Sequence, residues 1–534
     1  MWRLPVSQLD TCALALVMMV ALVLSGCSDD VRVEVPDEEQ AQGTPESACD
    51  ARFPEAPEGS GSLVYVAPSC PSEAPEGSIE APFVTISAAL EAASPGDTLL
   101  VESATYTENL VLSKDDISII GEVRTDDAQQ VGIILQSPDP SASVFSPGAR
   151  GIILQSVHIS DPTLAGVWLA GGSATIKDAS VSGAKADAEG KYGFGVLTTN
   201  KAGIILQQTA ITGSESTGVL LQDGEGASAV TDCQVSANGR GGIRLENMPT
   251  DTALIGNSLN DNLELGIGVF SSVGIILQNN GVHDTQIGGP TQSADGIIIA
   301  ELKGADGSSF GASDVVMGGD PGKADGHLGN TVTGSRRVGI MLSGDVAGII
   351  LQNEASVNHR AGIWLQSDAG TNEASAGIIL QDNSVNDNHF LGIAIGAGAE
   401  ATVENNLITG TREKSADNGV VVIGPDGASE KMGDGIGVFA GSSADIVGNI
   451  ISENARAGIL GDAMNVDTTT ISGNSYDANS TGSIILQNVA PNSFAGATNG
   501  EVTTLGAGEQ LDTVKEANDP NGFGLNDAVG IILQ

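Results

Sequence analysis

The chain has 534 residues, of which 71 are Gly and only 3% are aromatic, a composition too poor in bulky side chains for a large globular core. Its 67 Asp and Glu residues against 22 Lys and Arg give a formal net charge of −45, which disfavours nucleic acid and anionic lipid as partners. Neutral or cationic partners stay open, although solubility alone also explains such a charge.

The N-terminus has the features of a lipoprotein signal, predicted as residues 1–26. An apolar run at residues 12–24 is shorter than the roughly 20 residues that a transmembrane helix needs. It ends in Leu24-Ser25-Gly26-Cys27, which resembles the bacterial lipobox. The resemblance implies cleavage before Cys27 and a lipid on that cysteine. The protein would then lie in the cell envelope, at the outer membrane or cell surface, facing the periplasm or the exterior. An ordinary secretory signal with an incidental Cys is the alternative.

Residues 27–78 are predicted to form a disordered tether, because they are acidic, contain Pro and have no apolar period. Cys49 and Cys70 lie in this tether and are predicted to form a disulfide in an oxidising envelope. Cys12 would be removed with the signal peptide, and Cys233 has no obvious partner.

A short helix is predicted next. Residues Thr85 to Ala93 have the spacing of a short amphipathic helix, and Pro95-Gly96-Asp97 ends it. Such a helix would cover the open end of a stack of strands, which the following residues predict.

A repeat of apolar residues and asparagines begins after this helix. Residues 254–267, 380–393 and 446–459 all read Φ-x-x-Asn-x-Φ-x-x-Asn-x-x-x-Gly-Ile. This length fits a coil of three short strands, with strands of successive coils about 4.8 Å apart. The Asn residues are expected in turns, where Asn tolerates left-handed backbone angles and can bond to the Asn of the next coil. The Gly before Ile is expected to mark a sharp corner. Leucine-rich repeats would need a regular Leu lattice, which is absent.

The repeat and the capping segment together resemble right-handed parallel β-helix proteins of the pectin-lyase-like superfamily, and within it the carbohydrate-binding and sugar-hydrolase repeat proteins. The resemblance implies an all-β fold, a right-handed parallel β-helix over 79–487 with coils of about 22–24 residues and an N-terminal capping helix. Residues 488–534 would be a C-terminal cap or tail. The superfold hosts lyases, hydrolases, epimerases and non-enzymes, so it does not fix an activity.

The pentapeptide Gly-Ile-Ile-Leu-Gln recurs without a fixed period. Its copies, with one Ser-Ile-Ile-Leu-Gln variant at 483–487, stand at 132–136, 151–155, 203–207, 274–278, 348–352, 377–381 and 530–534. The repeat predicts that Leu380 points inward in one copy and Ile350 in another, a shift of one residue that an unbroken apolar run survives. We expect a structural or historical role for the motif, with recognition as the alternative. The copy at 530–534 lies outside any complete repeat.

No residue set predicts catalysis. None of the five His lies in an Asp-Pro-His-Asp-like string, and His359-Arg360 is expected in a solvated turn. Acidic Gly-rich loops at 304–326 and 424–435 lack the tandem spacing of calcium nonapeptides. No metal or cofactor is therefore predicted, with Ca²⁺ as the weak alternative. Cys233 stands at an Asn position of the repeat and is expected to be a buried structural thiol.

One row of outward side chains does suggest a ligand. In Gly-Ile-x-Φ the residue x should point away from the core, and x includes Trp168, Arg244, Met341 and Trp364. Aromatic faces stack on sugar rings, and an exposed apolar strip marks an interaction. The alternative is that a loop or the C-terminal segment covers the row.

These patterns predict a lipid-anchored envelope protein that binds a polysaccharide or another surface partner without cleaving it. One rival is a polysaccharide lyase, hydrolase or epimerase, which grouped carboxylates with Arg or Lys on one strand face would favour. The other is a structural or adhesive envelope protein, which a covered outward row would favour.

Overall fold

The computed structural model describes residues 51–122, 132–138, 140–248, 251–288, 293–303, 309–319, 328–366, 369–370, 377–413, 432–439, 441–465, 467–480, 482–487 and 502–504. These residues form three all-parallel sheets of 15, 14 and 15 strands and one two-stranded antiparallel sheet. From Thr98–Val101 to Gly482–Gln487, each turn of the chain adds one strand to each of the three large sheets in the order first, second, third. The prediction of an all-β parallel β-helix is confirmed.

The strands of the first sheet are Leu63–Val66, Thr98–Val101, Ser118–Ile120, Ile152–Gln155, Ser173–Lys177, Gly203–Gln207, Ser228–Thr231, Thr252–Ile255, Ile275–Gln278, Ala312–Gly318, Val346–Leu351, Ile378–Gln381, Glu400–Glu404, Ser443–Val447 and Thr470–Ser472. Those of the second sheet are Ala104–Tyr106, Ile133–Gln136, Val157–Ser160, Ser180–Ser182, Ala210–Thr212, Gln234–Ser236, Ser258–Asn260, Gly281–His283, Thr331–Thr333, Glu354–Ser356, Ser384–Asn386, Leu407–Thr409, Ile450–Ser452 and Ser475–Asp477.

The strands of the third sheet are Leu110–Val111, Val144–Ser146, Ala165–Ala170, Phe194–Thr199, Thr217–Gln222, Gly241–Glu246, Glu264–Phe270, Ala294–Ala300, Val338–Ser343, Ala361–Gln366, Phe390–Ile395, Gly433–Val438, Ala457–Asp462, Gly482–Gln487 and Val502–Thr504. Leu302–Lys303 and Ser309–Phe310 form the small antiparallel sheet. Alternate residues of each large sheet point inward and form one apolar core along the solenoid. Within the described residues, no helix is long and apolar enough to cross a membrane.

The predicted capping helix spans Ile86–Ala92 and buries Ile86, Ala89 and Leu90 against the core. The Thr85 hydroxyl accepts a hydrogen bond from the Ala88 backbone N–H at 3.2 Å, and the Glu108 carboxylate accepts from the N–H of Ile86 at 2.9 Å. At the other end, Lys114 Nζ donates to the carbonyl of Leu90 at 2.8 Å. An acid at the N-terminus and a base at the C-terminus both complement the helix dipole.

Two predicted boundaries of the solenoid move outward. Strand Leu63–Val66 pairs in parallel with Thr98–Val101, although it lies in the range 27–78 expected to be disordered. Its four residues are an apolar β-forming run, and the acidic and Pro-containing flanks concealed that signal. At the other end, Val502–Thr504 extends the third sheet beyond residue 487.

The repeated asparagines form hydrogen-bonded ladders at two corners of the coil. Asn383 Nδ2 donates to Asn406 Oδ1 of the next coil at 2.9 Å and to the carbonyl of Ile350 of the previous coil at 2.8 Å. The left-handed backbone angle falls one residue earlier than predicted, for example at Asp382 with φ 52°. The ladder Asn instead keeps a geometry that aims its amide inward, because both of its donors and its acceptor must be satisfied in a buried corner.

The Gly of Gly-Ile is required by close approach and not by a corner. Gly242 lies inside a strand without a positive φ. A Cβ at Gly242 would stand 2.6 Å from the Gly266 carbonyl oxygen and 2.7 Å from Leu259 Cδ2. The backbone of the neighbouring coil therefore excludes any side chain at this position.

The pentapeptide copies occupy strands of all three sheets. Copies 151–155, 203–207, 274–278, 348–352 and 377–381 lie in the first sheet, 132–136 in the second, and the Ser variant in the third. Ile350 pairs with Leu380, and both are buried, so the predicted one-residue shift is confirmed. The copy at 530–534 lies outside the described residues.

Candidate functional site

The outward row of the third sheet is continuous in the structure. Cross-strand pairing joins its members in the order Phe145, Trp168, Leu197, Leu220, Arg244, Gly268, Ile298, Met341, Trp364, Ala394, Gly437 and Leu460. Seven steps therefore separate Trp168 from Trp364, about 34 Å at the strand spacing.

The C-terminal part of this row is buried. Trp364 is 2% exposed and Met341 3% exposed, so the expectation that they face solvent is wrong. They belong to a second apolar cluster on the outside of the sheet, which also contains Phe390, Met432 and Phe439. The Arg360 guanidinium lies 4.3 Å from the centroid of the Trp364 ring and closes one side of it. Neither Trp364 nor Met341 can contact a ligand in this arrangement.

Two buried ion pairs cross the same part of the third sheet. Arg456 Nε donates to Asp434 Oδ1 at 2.9 Å, and the backbone N–H of Ala457 donates to the same oxygen at 2.9 Å. Arg337 pairs with Asp295 in the same way. All four side chains are almost fully buried. Asp434 and Asp295 are each held in an ion pair with a buried arginine, so we assign these carboxylates a structural role.

The N-terminal part of the row is different, because it carries a partly exposed aromatic cluster. Trp168 contacts Phe145 edge-on with ring centroids 5.4 Å apart, and Tyr192 lies 5.8 Å from Trp168. Phe194 meets Tyr192 at 6.5 Å. Tyr192 is 37% exposed, and the other three side chains are half-buried. We call these four residues the aromatic platform.

Local structure fixes the orientation of the platform. The indole Nε1 of Trp168 donates to Thr199 Oγ1 at 3.1 Å, which holds the ring against the sheet. Tyr192 ends a hairpin in which the Asp187 carboxylate accepts from the backbone N–H of Lys191 at 2.7 Å, with a bridge between Ala186 and Tyr192. The hairpin thus lays Tyr192 beside Trp168. Sequence reasoning found Trp168 but missed its three neighbours. The one available signal was Phe145, which holds the same strand position one coil earlier.

Arg244 lies three steps along the row from Trp168, about 14 Å away. Its side chain is 29% exposed, is hydrogen-bonded to the Glu246 carboxylate, and lies 4.2 Å from the centroid of the Phe270 ring. Phe270 in turn covers the space above Gly268, where a Cβ would stand 2.4 Å from the ring. Leu197 and Leu220 lie between Trp168 and Arg244 in the row and are only 3% and 9% exposed, so a covered stretch of the third sheet separates the platform from Arg244.

The cysteines offer no exposed nucleophile among the described residues. Cys233 is 1% exposed, and burial raises the pKa of its thiol to about 12. It stands at the start of an Asn ladder, where its backbone N–H donates to Asn257 Oδ1 at 3.0 Å. Cys70 is disulfide-bonded. Cys27 and Cys49 lie outside the described residues, so the lipid site and the pairing of Cys49 with Cys70 stay predictions.

The histidines lie away from the platform. His359 and His389 stack with ring centroids 5.7 Å apart at a corner between the second and third sheets. Burial lowers the pKa of both side chains, and Arg336 beside His359 and Arg412 beside His389 lower the two pKa values further. Within the part of the chain that the structure describes, no group of three or more His, Cys, Asp or Glu is placed to hold a metal ion.

The chain matches known proteins by family and by fold. A family model described as right-handed β-helix region matches residues 143–301 and 328–498. No curated protein matches the chain.

Among solved structures, the chain is similar to the periplasmic alginate epimerase AlgG, with 14% identity over 75% of this chain and 78% of that one and a TM-score of 0.37. The A-module of the Azotobacter vinelandii mannuronan C-5 epimerase AlgE4 is 14% identical over 83% of this chain and 100% of its own, with a TM-score of 0.39. Pectate lyase Pel9A is 14% identical over 68% of this chain and 76% of its own, with a TM-score of 0.31. These likenesses concern the fold alone. Because the family model covers more than half of a chain built from three long parallel sheets, the protein belongs to the right-handed β-helix family.

Proposed function

We propose that the protein binds an extended, uncharged polysaccharide at the aromatic platform, holds it without cleaving it, and is tethered to the cell envelope by a lipid on Cys27. The observation that carries the binding proposal is the aromatic platform, in which Trp168 of the third sheet lies beside the partly exposed Tyr192 of the adjoining hairpin. Rigid β-scaffolds hold such side chains in place, so little conformational entropy is lost when a ligand docks.

The chemistry of the platform suits sugar rings. The C–H groups of a pyranose form an apolar face that stacks on an aromatic ring, and Tyr192 adds a hydroxyl at the edge. Phe145 lies one strand step from Trp168, about 4.8 Å, which is close to the length of one sugar unit in an extended chain. Neighbouring rings can therefore contact successive sugars of one polymer.

The charge of the protein selects among polysaccharides. A formal charge of −45 repels polyanions such as polyuronates or sulfated glycans, and this repulsion weakens with added salt. Arg244, the cation nearest along the row, is neutralised by Glu246. The platform therefore favours a neutral chain, held by stacking and hydrogen bonds.

Affinity electrophoresis through gels containing neutral or acidic polysaccharides tests this proposal. Trp168→Ala and Tyr192→Ala should each weaken binding to a neutral glycan about tenfold, roughly 1.4 kcal/mol. Trp364→Phe is the matched control, since that ring is buried, and it should leave binding unchanged. Recovered glycan should keep its original length. Unchanged binding in the platform variants, binding of acidic glycans alone, or shortened glycan would contradict the proposal.

The anchor is tested separately. Intact-mass analysis of the mature protein should show an acylated chain beginning at Cys27, and Cys27→Ala should abolish the mass increment and release the protein from the membrane fraction. A soluble mature form with another first residue would refute the anchor and leave the glycan proposal standing.

A further inference from the structure

The repeated pentapeptide supplies five of the nine members of an outward row on the first sheet, and this row is apolar except at Thr175. Five of its copies place an Ile outward at the same strand position, joined in register through Thr175, Ala229, Ala253 and Val316. The five are Ile153, Ile205, Ile276, Ile349 and Ile379. We call this row, from Ile153 to Ile379, the Ile ridge.

The ridge survives the one-residue shift between copies. In 377–381 the middle residue Ile379 points outward, flanked by inward Ile378 and Leu380. In the shifted copy 348–352 the inward residue is Ile350, and the outward one is Ile349, which pairs with Ile379. Either phase of Gly-Ile-Ile-Leu-Gln thus supplies an outward Ile in the same row.

Core packing does not require these outward residues to be apolar. Ile205 is 37% exposed, and the other four Ile of the ridge are partly exposed. On the second sheet, by contrast, the outward column that contains Ser182, Thr212 and Ser236 is polar. A strand accepts Thr as readily as Ile on a solvated face, so the Ile ridge calls for a partner.

The ridge is also free of charge in a strongly acidic molecule. No ionisable residue lies in it, and only Lys177, Asp251 and Asp314 lie two positions from it along the strands. Copies of this chain, each with a formal charge of −45, repel one another over most approaches. An uncharged face is the direction from which a second copy can approach with the least repulsion.

The shape of the face fits a second copy of itself. In the unshifted copies, Gly lies two positions before the outward Ile and Gln two positions after it, as in Gly203-Ile-Ile205-Leu-Gln207. Because Gly has no side chain, the outer face of the sheet has a gap beside the outward Ile at each of these Gly positions. Two such faces related by a two-fold axis can set the ridge of each copy over the other's gaps.

The area is sufficient for a weak dimer. Eight strand steps span the ridge, about 38 Å, and five-residue strands are about 13 Å wide. Each copy would bury roughly 500 Å², so the interface would total about 1,000 Å², near the lower limit for a specific contact.

From this combination we infer that the first sheet is a self-association face, through which two copies pair by their Ile ridges. The pairing lies on a different sheet from the aromatic platform and does not depend on glycan binding. Since like-charged copies meet across an apolar contact, added salt should strengthen the association by screening the repulsion.

Sedimentation velocity over a concentration series tests the pairing, with the full chain carrying Cys27→Ser so that a lipid cannot itself cause association. The wild-type ridge should give a reversible monomer–dimer equilibrium that shifts toward dimer at higher salt. Ile205→Glu should raise the dissociation constant at least about tenfold, and Ile205→Thr should raise it less. Leu407→Glu is the matched control, because Leu407 is 39% exposed on the second sheet and gains the same charge.

Circular dichroism should show that all variants keep the β-rich spectrum of the parent. A parent chain that stays monomeric at every concentration and salt would overturn the inference. An equal effect of Leu407→Glu and Ile205→Glu would also overturn it, since charge alone would then explain the result.

Discussion

Trp168 and Trp364 occupy the same position of the same repeat, yet they have different environments. Trp168 is half-buried, its indole N–H is bonded to Thr199, and two further rings contact it. Trp364 is 2% exposed, its N–H has no hydrogen-bond partner, and Arg360 lies over its ring. A solenoid repeat therefore determines the direction of a side chain, whereas the exposure of that side chain depends on what lies outside the coil.

The largest expected difference between the two tryptophans is in the free energy of unfolding that each one contributes. Trp364→Ala removes a fully buried ring and should lower the free energy of unfolding by about 3–5 kcal/mol. Trp168→Ala removes a half-buried ring and should cost less than half as much. Urea unfolding followed by circular dichroism measures both values. Equal losses would mean that the two tryptophans are equivalent core residues.

The buried ion pairs extend the contrast to charged groups. Asp434→Ala removes the carboxylate that the buried Arg456 guanidinium pairs with, which should cost about 3–5 kcal/mol. Asp387→Ala breaks the pair with Arg412, whose side chains are 48% and 56% exposed, and should cost at most about 1 kcal/mol. The same urea titration compares the two variants. A small loss for Asp434→Ala would show that this region is open to water.

A smaller effect concerns pH. Burial, with neighbouring arginines, lowers the pKa of His359 and His389 from 6.5, while Asp284 and Asp387 oppose the shift. The unfolded chain therefore binds more protons than the folded chain as pH falls through 6.5. The stability due to these neutral imidazoles is complete above that pH and is lost progressively below it.

Replacing both His359 and His389 tests this dependence of stability on pH. The double variant His359→Gln, His389→Gln should flatten the dependence of the melting temperature on pH below 6.5. His158, on the second sheet, has a pKa lowered by burial alone, and His158→Gln should change the slope less. A steeper slope in the double variant would contradict the assigned direction of the shifts.

The sequence predicted the coil well because its rules are local. The Asn positions had to be buried and paired, and Asn383 is 1% exposed and bonded to Asn406. The spacing to Asn353 and Asn358 predicted that Ile350 points inward in the shifted copy, and Ile350 is fully buried. Strand Leu63–Val66 was missed because acidic and Pro-containing neighbours outweigh four apolar residues in a composition argument.

The candidate site was only half predictable, because exposure is not a local property. Trp168 and Trp364 carry the same Gly-Val/Ile-Trp-Leu signal, and nothing in either strand encodes the cluster that buries Trp364. Tyr192 lies in an insertion between strands, outside the Asn and Gly-Ile repeat. Its contact with Trp168 depends on a hairpin that periodicity does not describe.

The proposed function requires that Trp168 contacts the ligand and that Trp364 does not. Fluorescence of the single-tryptophan variants Trp364→Phe and Trp168→Phe, titrated with a neutral glycan that the parent chain binds, tests it most directly. If the predicted signal peptide, residues 1–26, is still attached, both variants also need Trp2→Phe. We expect the emission of Trp168 to shift to shorter wavelength and to be protected from iodide, while Trp364 stays unquenched and unchanged throughout. A ligand-dependent change at Trp364, or bound glycan with no change at Trp168, would contradict the account.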